Sequence, residues 1–149
     1  MKQISMTPLS LKDIPDNIRK FLMLITLTEG TDKDNTPYNE LFGFANFIGF
    51  DKHPNRIVSK NGYYSSAAGR YQIMQKTYDS LKMKDFRPIT QDMAAIQLLK
   101  QCKAYDFALQ GDWLNAISKS CKTWASLPGS PYGQPVRSIK DCLDFLTYI

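Results

Sequence analysis

From Ile14 onward the apolar positions Ile18, Phe21, Leu22 and Ile25 recur at helical spacing. Pro15 and Asp16 suit the opening of a helix, and Gly30 suits the left-handed cap that closes one. The pattern therefore predicts a first helix running to about Thr28. At about 100° per residue, Glu29 falls within roughly 40° of Ile18, Leu22 and Ile25 around the wheel. Ahead of this helix, residues 1–13 mix polar and apolar types and read as a loosely attached arm. Between Thr31 and Gly69 helical spacing vanishes and Gly, Pro, Asn and Asp become frequent, so loops with a little antiparallel sheet are expected between about Arg56 and Gln72. Helical spacing returns over 75–82 and from Thr90 or Gln91 to about Tyr105. A further helix capped by Asp112 is expected to reach about Trp124. Leu127-Pro128-Gly129-Ser130-Pro131 reads as a rigid turn, and Ser138 with Asp141 three residues on marks the start of a final helix. The expected architecture is α+β and mainly helical, a single domain over 1–149 with a small antiparallel lobe inserted after the first helix.

Composition changes this picture little. The 149 residues are 43% hydrophobic and 22% charged, which suits a globular chain with one sizeable core. The net charge of +5 implies general attraction to anionic polymers, but Lys and Arg appear singly, without a basic run of the nucleic-acid-binding kind. Cys102, Cys121 and Cys142 each lie on an apolar stripe. Their odd number and wide spacing argue against a disulfide framework or a zinc site and for small core side chains. No secretory signal is recognisable, and the apolar stretch Phe21–Ile25 is too short to span a bilayer.

Chemistry enters through Glu29. A carboxyl on the buried side of a helix is desolvated, and the negative end of the helix dipole also disfavours its charge. Both effects raise its pKa, as a general acid working near neutral pH requires. The alternative is a helix-end glutamate turned out to solvent. Four segments carry the remaining candidates: Thr28-Glu29-Gly30-Thr31-Asp32, Asp51-Lys52-His53-Pro54, Ala68-Gly69-Arg70-Tyr71-Gln72, and Trp124-Ala125-Ser126-Leu127-Pro128-Gly129 with Tyr132-Gly133-Gln134. His53 is the single histidine and cannot make a metal site alone. Tyr71 offers a ring face, Gln72 offers amide donors and acceptors, and Gly69 would let backbone approach a ligand. Tyr132 could stack on a sugar, with Gln134 beside it. Arg70 reads as a surface or junction salt-bridge partner, and Trp124 and Leu127 as core. The other carboxylates near these segments are Asp32, Asp34, Glu40 and Asp51. Asp32 suits a turn, accepting backbone N–H groups, and Asp51 is the candidate second acid of a hydrolase.

In this order and at these separations, with Lys84-Asp85-Phe86 and Gln91-Asp92 between them, the segments resemble the lambda-type phage endolysins. The resemblance runs from about Phe21 to Gln134, and Gly69–Gln72 also resembles the Gly-x-x-Gln turn of lytic transglycosylases and goose-type lysozymes. It departs at Lys52, where the family has an aspartate before His-Pro, and over residues 33–50. The resemblance implies a two-lobed lysozyme-like fold and a lytic transglycosylase that cleaves the MurNAc–GlcNAc β-1,4 bond and leaves 1,6-anhydro ends. Glu29 would act as acid and then as base, and Asp51, His53, Tyr71, Gln72, Tyr132 and Gln134 are the candidate substrate contacts. Peptidoglycan glycan strands would be the partner of a monomer, with no metal or organic cofactor, no nucleic acid and no stable membrane insertion. The protein would be made in the host bacterial cytoplasm without a signal peptide and reach the wall in the periplasm through a holin-type lesion. The competing readings are a hydrolysing muramidase on the same fold and a non-catalytic envelope-binding or nucleic-acid-binding module.

Overall fold

The computed structural model describes residues 5–133 and 136–149. Helix α1 spans Asp16–Glu29. Its stripe is wholly buried, with Ile18, Phe21, Leu22, Leu24 and Ile25 all inaccessible to solvent. Each such side chain contributes about 1.5–3 kcal/mol by leaving water. Gly30 ends the helix in the left-handed conformation at φ 72°, and its N–H bonds back to the carbonyls of Thr26 and Leu27. After α1 the chain forms a 3-10 turn at Pro37–Asn39 and a hairpin of β1 (Val58–Lys60) and β2 (Tyr63–Ser65), with Ser59 opposite Tyr64. Asn61 and Gly62, both at positive φ, make the two-residue hairpin turn. The body is then built from α2 (Gln75–Leu81), α3 (Pro88–Gln101), α4 (Tyr105–Leu109), α5 (Trp113–Ser120) and α6 (Ile139–Tyr148). Helix α1 runs through it, packed on α4 and α6. Trp124, Leu127, Cys121 and Cys142 join the core, and Cys102 is half-buried; all three thiols are free. The expected caps are present: Asp112 accepts from the Asn115 N–H, and Ser138 from the Asp141 N–H.

Three expectations are corrected. The helix expected to reach Tyr105 stops at Gln101, because Lys103 turns the chain at φ 68° and α4 starts afresh at Tyr105. Helix α5 stops at Ser120 and leaves Cys121–Trp124 as a turn. The arm is also tied down rather than loose. The Asp32 carboxylate accepts from both the N–H and the hydroxyl of Thr7, at 2.6 Å each. Leu9 is buried in the core, the Ser10 N–H reaches Tyr38, and the Leu11 N–H reaches Asp92.

Those last bonds belong to a buried polar network at the junction of the body with the inserted lobe. Arg70 and Asp92 are both fully buried. Arg70 donates to the hydroxyl of Thr26 on α1 and to the backbone carbonyls of Thr7 and Pro8 in the arm, and its guanidinium lies over the Tyr38 ring. Asp92 on α3 accepts from the hydroxyls of Tyr38 and Tyr71. Burial pushes the Asp92 pKa up, while the Tyr71, Leu11 and Tyr38 donors and the Arg70 charge pull the other way. Arg70, expected as a surface or junction salt-bridge partner, thus lies at the junction but buried, with its donors spent on a hydroxyl and backbone carbonyls rather than on a surface carboxylate. A buried charge left without such partners would cost several kcal/mol.

Candidate active site

The end of α1 is where three of the four sequence segments meet. The Thr31 hydroxyl donates to the Arg70 carbonyl at 2.7 Å, and the Trp124 indole N–H donates to the Tyr71 carbonyl at 2.9 Å. The Ser126 hydroxyl bonds to that of Thr28 at 3.0 Å. Glu29 thus sits between the 69–72 turn, the 124–127 turn and its own helix end. It is half-buried rather than turned out to solvent. Burial pushes its pKa up from the usual Glu value to about 7, against a smaller opposing effect of the Ser126 hydroxyl. The side chain can therefore hold a proton near neutral pH and can also release it.

The 69–72 turn has strict local requirements. Gly69 has φ 80°, and a Cβ there would overlap Gln91 Oε1 and lie 2.9 Å from Phe86 Cζ. The open side of this glycine faces the protein interior, so its role is packing and not the ligand approach expected from the sequence. Gln91 is itself held rigidly, accepting from the Arg70 N–H and donating to the carbonyls of Tyr38 and Phe86. Gln72 is half-buried in the left-handed region at φ 49°. Its amide donates to the carbonyls of Gly69 and Glu40, which leaves Oε1 without a donor among the described residues.

Two sequence candidates lie in the framework instead. Tyr71 is fully buried and its hydroxyl donates to Asp92 at 2.6 Å, so its ring offers no face to a ligand. His53 is buried among Tyr78 and Phe86, with Nε2 on the Ile73 carbonyl and Nδ1 accepting from the Asn55 N–H. Both ring nitrogens are spent, and burial pulls its pKa down. Asp51 is exposed in a cavity of about 310 Å³ lined by Asn55, Tyr78, Asp79 and Lys84 but not by Glu29. A larger cavity of about 490 Å³ lies under the N-terminal arm, also away from Glu29. Tyr132 is exposed on the turn after Pro131, its hydroxyl bonded to the Lys122 carbonyl. Gln134 lies outside the described residues. Asp32 accepts a backbone N–H, as a turn aspartate would, but from the arm rather than from its own turn.

Sequence reasoning gave no role to Ser126 and named Glu40 only as one carboxylate among several. Ser126 lies inside a recognised segment, and nothing in the segment tells which side chain turns toward Glu29. Glu40 is buried, its Oε2 has no hydrogen-bond partner, and its pKa is raised to about 7 by burial and by the neighbouring Asp34. Among the described residues no group of three or more His, Cys, Asp or Glu is placed to hold a metal ion.

A helical body, a hairpin lobe inserted after the first helix and a proton-holding glutamate where that helix ends define a lysozyme-like protein. The chain superposes on bacteriophage lambda lysozyme complexed with a chitohexasaccharide at a TM-score of 0.84 and 30% identity, covering 92% of this chain and 96% of that one. A second structure of lysozyme from bacteriophage lambda gives a TM-score of 0.76 at 32% identity, covering 91% and 92%. In sequence it is 35% identical to the endolysin of Escherichia phage lambda, over 82% of this chain and 84% of that protein. It is 32% identical to the endolysin of Escherichia phage P2, over 83% and 87%. The family model described as Endolysin matches residues 19–148, and the chain belongs to that family.

Proposed function

We propose that this endolysin degrades peptidoglycan as a lytic transglycosylase, with Glu29 as acid and then base. Peptidoglycan degradation goes with the Endolysin family and the lysozyme fold; the route and the residue are our reading. One observation carries it: a half-buried carboxyl whose pKa is about 7, at the meeting point of the helix end and two turns. Protonated Glu29 gives its proton to the glycosidic oxygen as the bond to the muramoyl anomeric carbon breaks. The resulting carboxylate then takes the proton of the muramoyl C6 hydroxyl, whose oxygen closes on the anomeric carbon. Glu29 is reprotonated and the product carries a 1,6-anhydro end.

A hydrolysing route usually needs a second carboxylate to activate water. The nearby carboxyls have other engagements: Asp32 holds Thr7, Glu40 is buried beside Asp34, and Asp51 opens into a separate cavity. This favours the single-acid route. Gln72, through its free Oε1, and the exposed Tyr132 are the glycan contacts we retain. Among the described residues no helix is long and apolar enough to cross a membrane; we take release through a holin-type lesion as the route to the wall.

The test is product analysis. Glycan fragments released from purified sacculi by the wild type should carry anhydro ends that resist borohydride, and Glu29→Gln should release none. Reducible ends would assign a muramidase instead.

A further inference from the structure

One cluster beside Glu29 has no part in the acid/base chemistry. Phe44 adopts φ 72°, a left-handed conformation that is strained for a bulky residue. The ring is not filling the core, since the residue is 47% exposed. Two ammonium groups are gathered on it: Lys33 Nζ lies 4.3 Å and Lys60 Nζ 4.5 Å from the ring centroid. Two glycines make room for these stems. A Cβ on Gly30 would stand 3.4 Å from both Lys33 Cε and Phe44 Cε1, and one on Gly43 would stand 3.2 Å from Lys60 Cδ. Gly30 directly follows Glu29, so the cluster lies at the end of α1 that carries Glu29. Among the described residues neither lysine is within ion-pair distance of a carboxylate. Glu40 feels the Lys33 charge only from further off. Two like charges held on one exposed ring, on a strained backbone, form an arrangement that a bound anion would complete.

We propose that Phe44, Lys33 and Lys60 form a platform that reads the carboxylate borne by the muramoyl residue, the ring lying against the sugar and the ammonium groups pairing with the acid. This rests on Glu29 marking the cleavage site. It makes the enzyme prefer MurNAc-containing strands over neutral chitin oligomers. The carboxylate is that of the lactyl ether in peptide-free strands, or one in the stem peptide where the lactyl group is amidated.

Binding is measured by calorimetry in a Glu29→Gln background, so that nothing turns over. Three probes are used: chitohexaose, peptide-free GlcNAc–MurNAc oligomers, and the same oligomers carrying stem peptides. Lys33→Gln with Lys60→Gln should weaken binding of a carboxylate-bearing probe about tenfold, steepen no salt dependence, and change chitohexaose affinity less than about twofold. Loss on the peptide-free probe assigns the lactyl carboxylate; loss on the peptide-bearing probe alone assigns the stem peptide. Phe44→Gly relieves the backbone strain, so its melting temperature should not fall while its affinity for the same probe does. Equal affinities across all three probes before and after the lysine substitutions would overturn the proposal. Cell-wall lysis by Glu29→Gln itself would instead overturn the reading of Glu29, and the binding result would stand apart from it.

Discussion

Glu29 and Glu40 both hold a proton to about pH 7, yet their surroundings differ in kind. Glu29 closes a long buried helix, is half-buried, and has one hydroxyl, that of Ser126, favouring its charged form. Glu40 lies in the inserted lobe with 2% of its surface exposed and Oε2 unpartnered, beside the anionic Asp34. Its proton is retained because burial disfavours the charge, and the exposed Asp34 carboxylate beside it adds to that. The comparison teaches that a raised pKa identifies a reluctant carboxylate and not a catalyst. A substrate can take a proton only from a carboxyl it can reach, and of the two only Glu29 is near the surface.

The comparison breaks most visibly at Glu29. Glu29→Gln should cut the rate of sacculus lysis by about 10²–10⁴-fold or more while the protein stays folded. Turbidity clearance with circular dichroism measures both. Next in size is Gly69→Ala, which strikes the turn between the end of α1 and the Glu40 backbone, since Gly69 donates to the Glu40 carbonyl at 2.7 Å and the Arg70 carbonyl accepts from Thr31. The added methyl meets a rigid Gln91 at a positive φ, so unfolding should cost at least about 2 kcal/mol less in a urea titration.

Glu40→Gln should leave lysis within about threefold of wild type but change the pH dependence of stability. Below the ordinary Glu pKa of 4.5 the folded and unfolded chains are both protonated at this site. As pH rises toward 7 the unfolded chain loses its proton while the folded one keeps it, so stability falls and then levels off. Glutamine removes that loss, so the variant should gain up to about 3 kcal/mol at pH 8 and little at pH 4. Lysis falling with Glu40→Gln as steeply as with Glu29→Gln would erase the distinction. The same sign applies to Glu29: the wild-type rate should decline as pH rises through about 7, because the acid must begin protonated. Smallest is Ser126→Ala. Losing the hydroxyl that favours the Glu29 carboxylate should move this alkaline limb upward by a fraction of a pH unit, as pH–rate profiles would record.

Local rules made much of this molecule legible in advance. The helical spacing from Ile18 to Ile25, the Gly30 cap and the placement of Glu29 all follow from the 3.6-residue period and from the freedom of glycine at positive φ. The Asp112 and Ser138 caps are equally local. The Asn61-Gly62 hairpin turn carried a signal of the same kind, which would have narrowed the broad expectation of sheet between Arg56 and Gln72. Lys103 misled because a left-handed lysine has no distinctive sequence sign.

What was hidden required partners far along the chain. Tyr71 reads as a ligand-facing ring until Asp92, 21 residues on, claims its hydroxyl. His53 reads as a candidate substrate contact until Ile73 and Asn55 take both nitrogens. Arg70 reads as a surface or junction salt-bridge partner until Thr26 and the carbonyls of Thr7 and Pro8 fold around it. The arm looked loose because its anchors, Asp32 and Asp92, are 25 and 81 residues away from the groups they hold. The sequence by itself determined where the first helix ends and that a carboxyl stands there, since helix period and capping act within a few residues. Only the tertiary structure decided which polar side chains would be spent in the interior and which left free to meet a glycan, because desolvation is set by neighbours that only folding brings into contact.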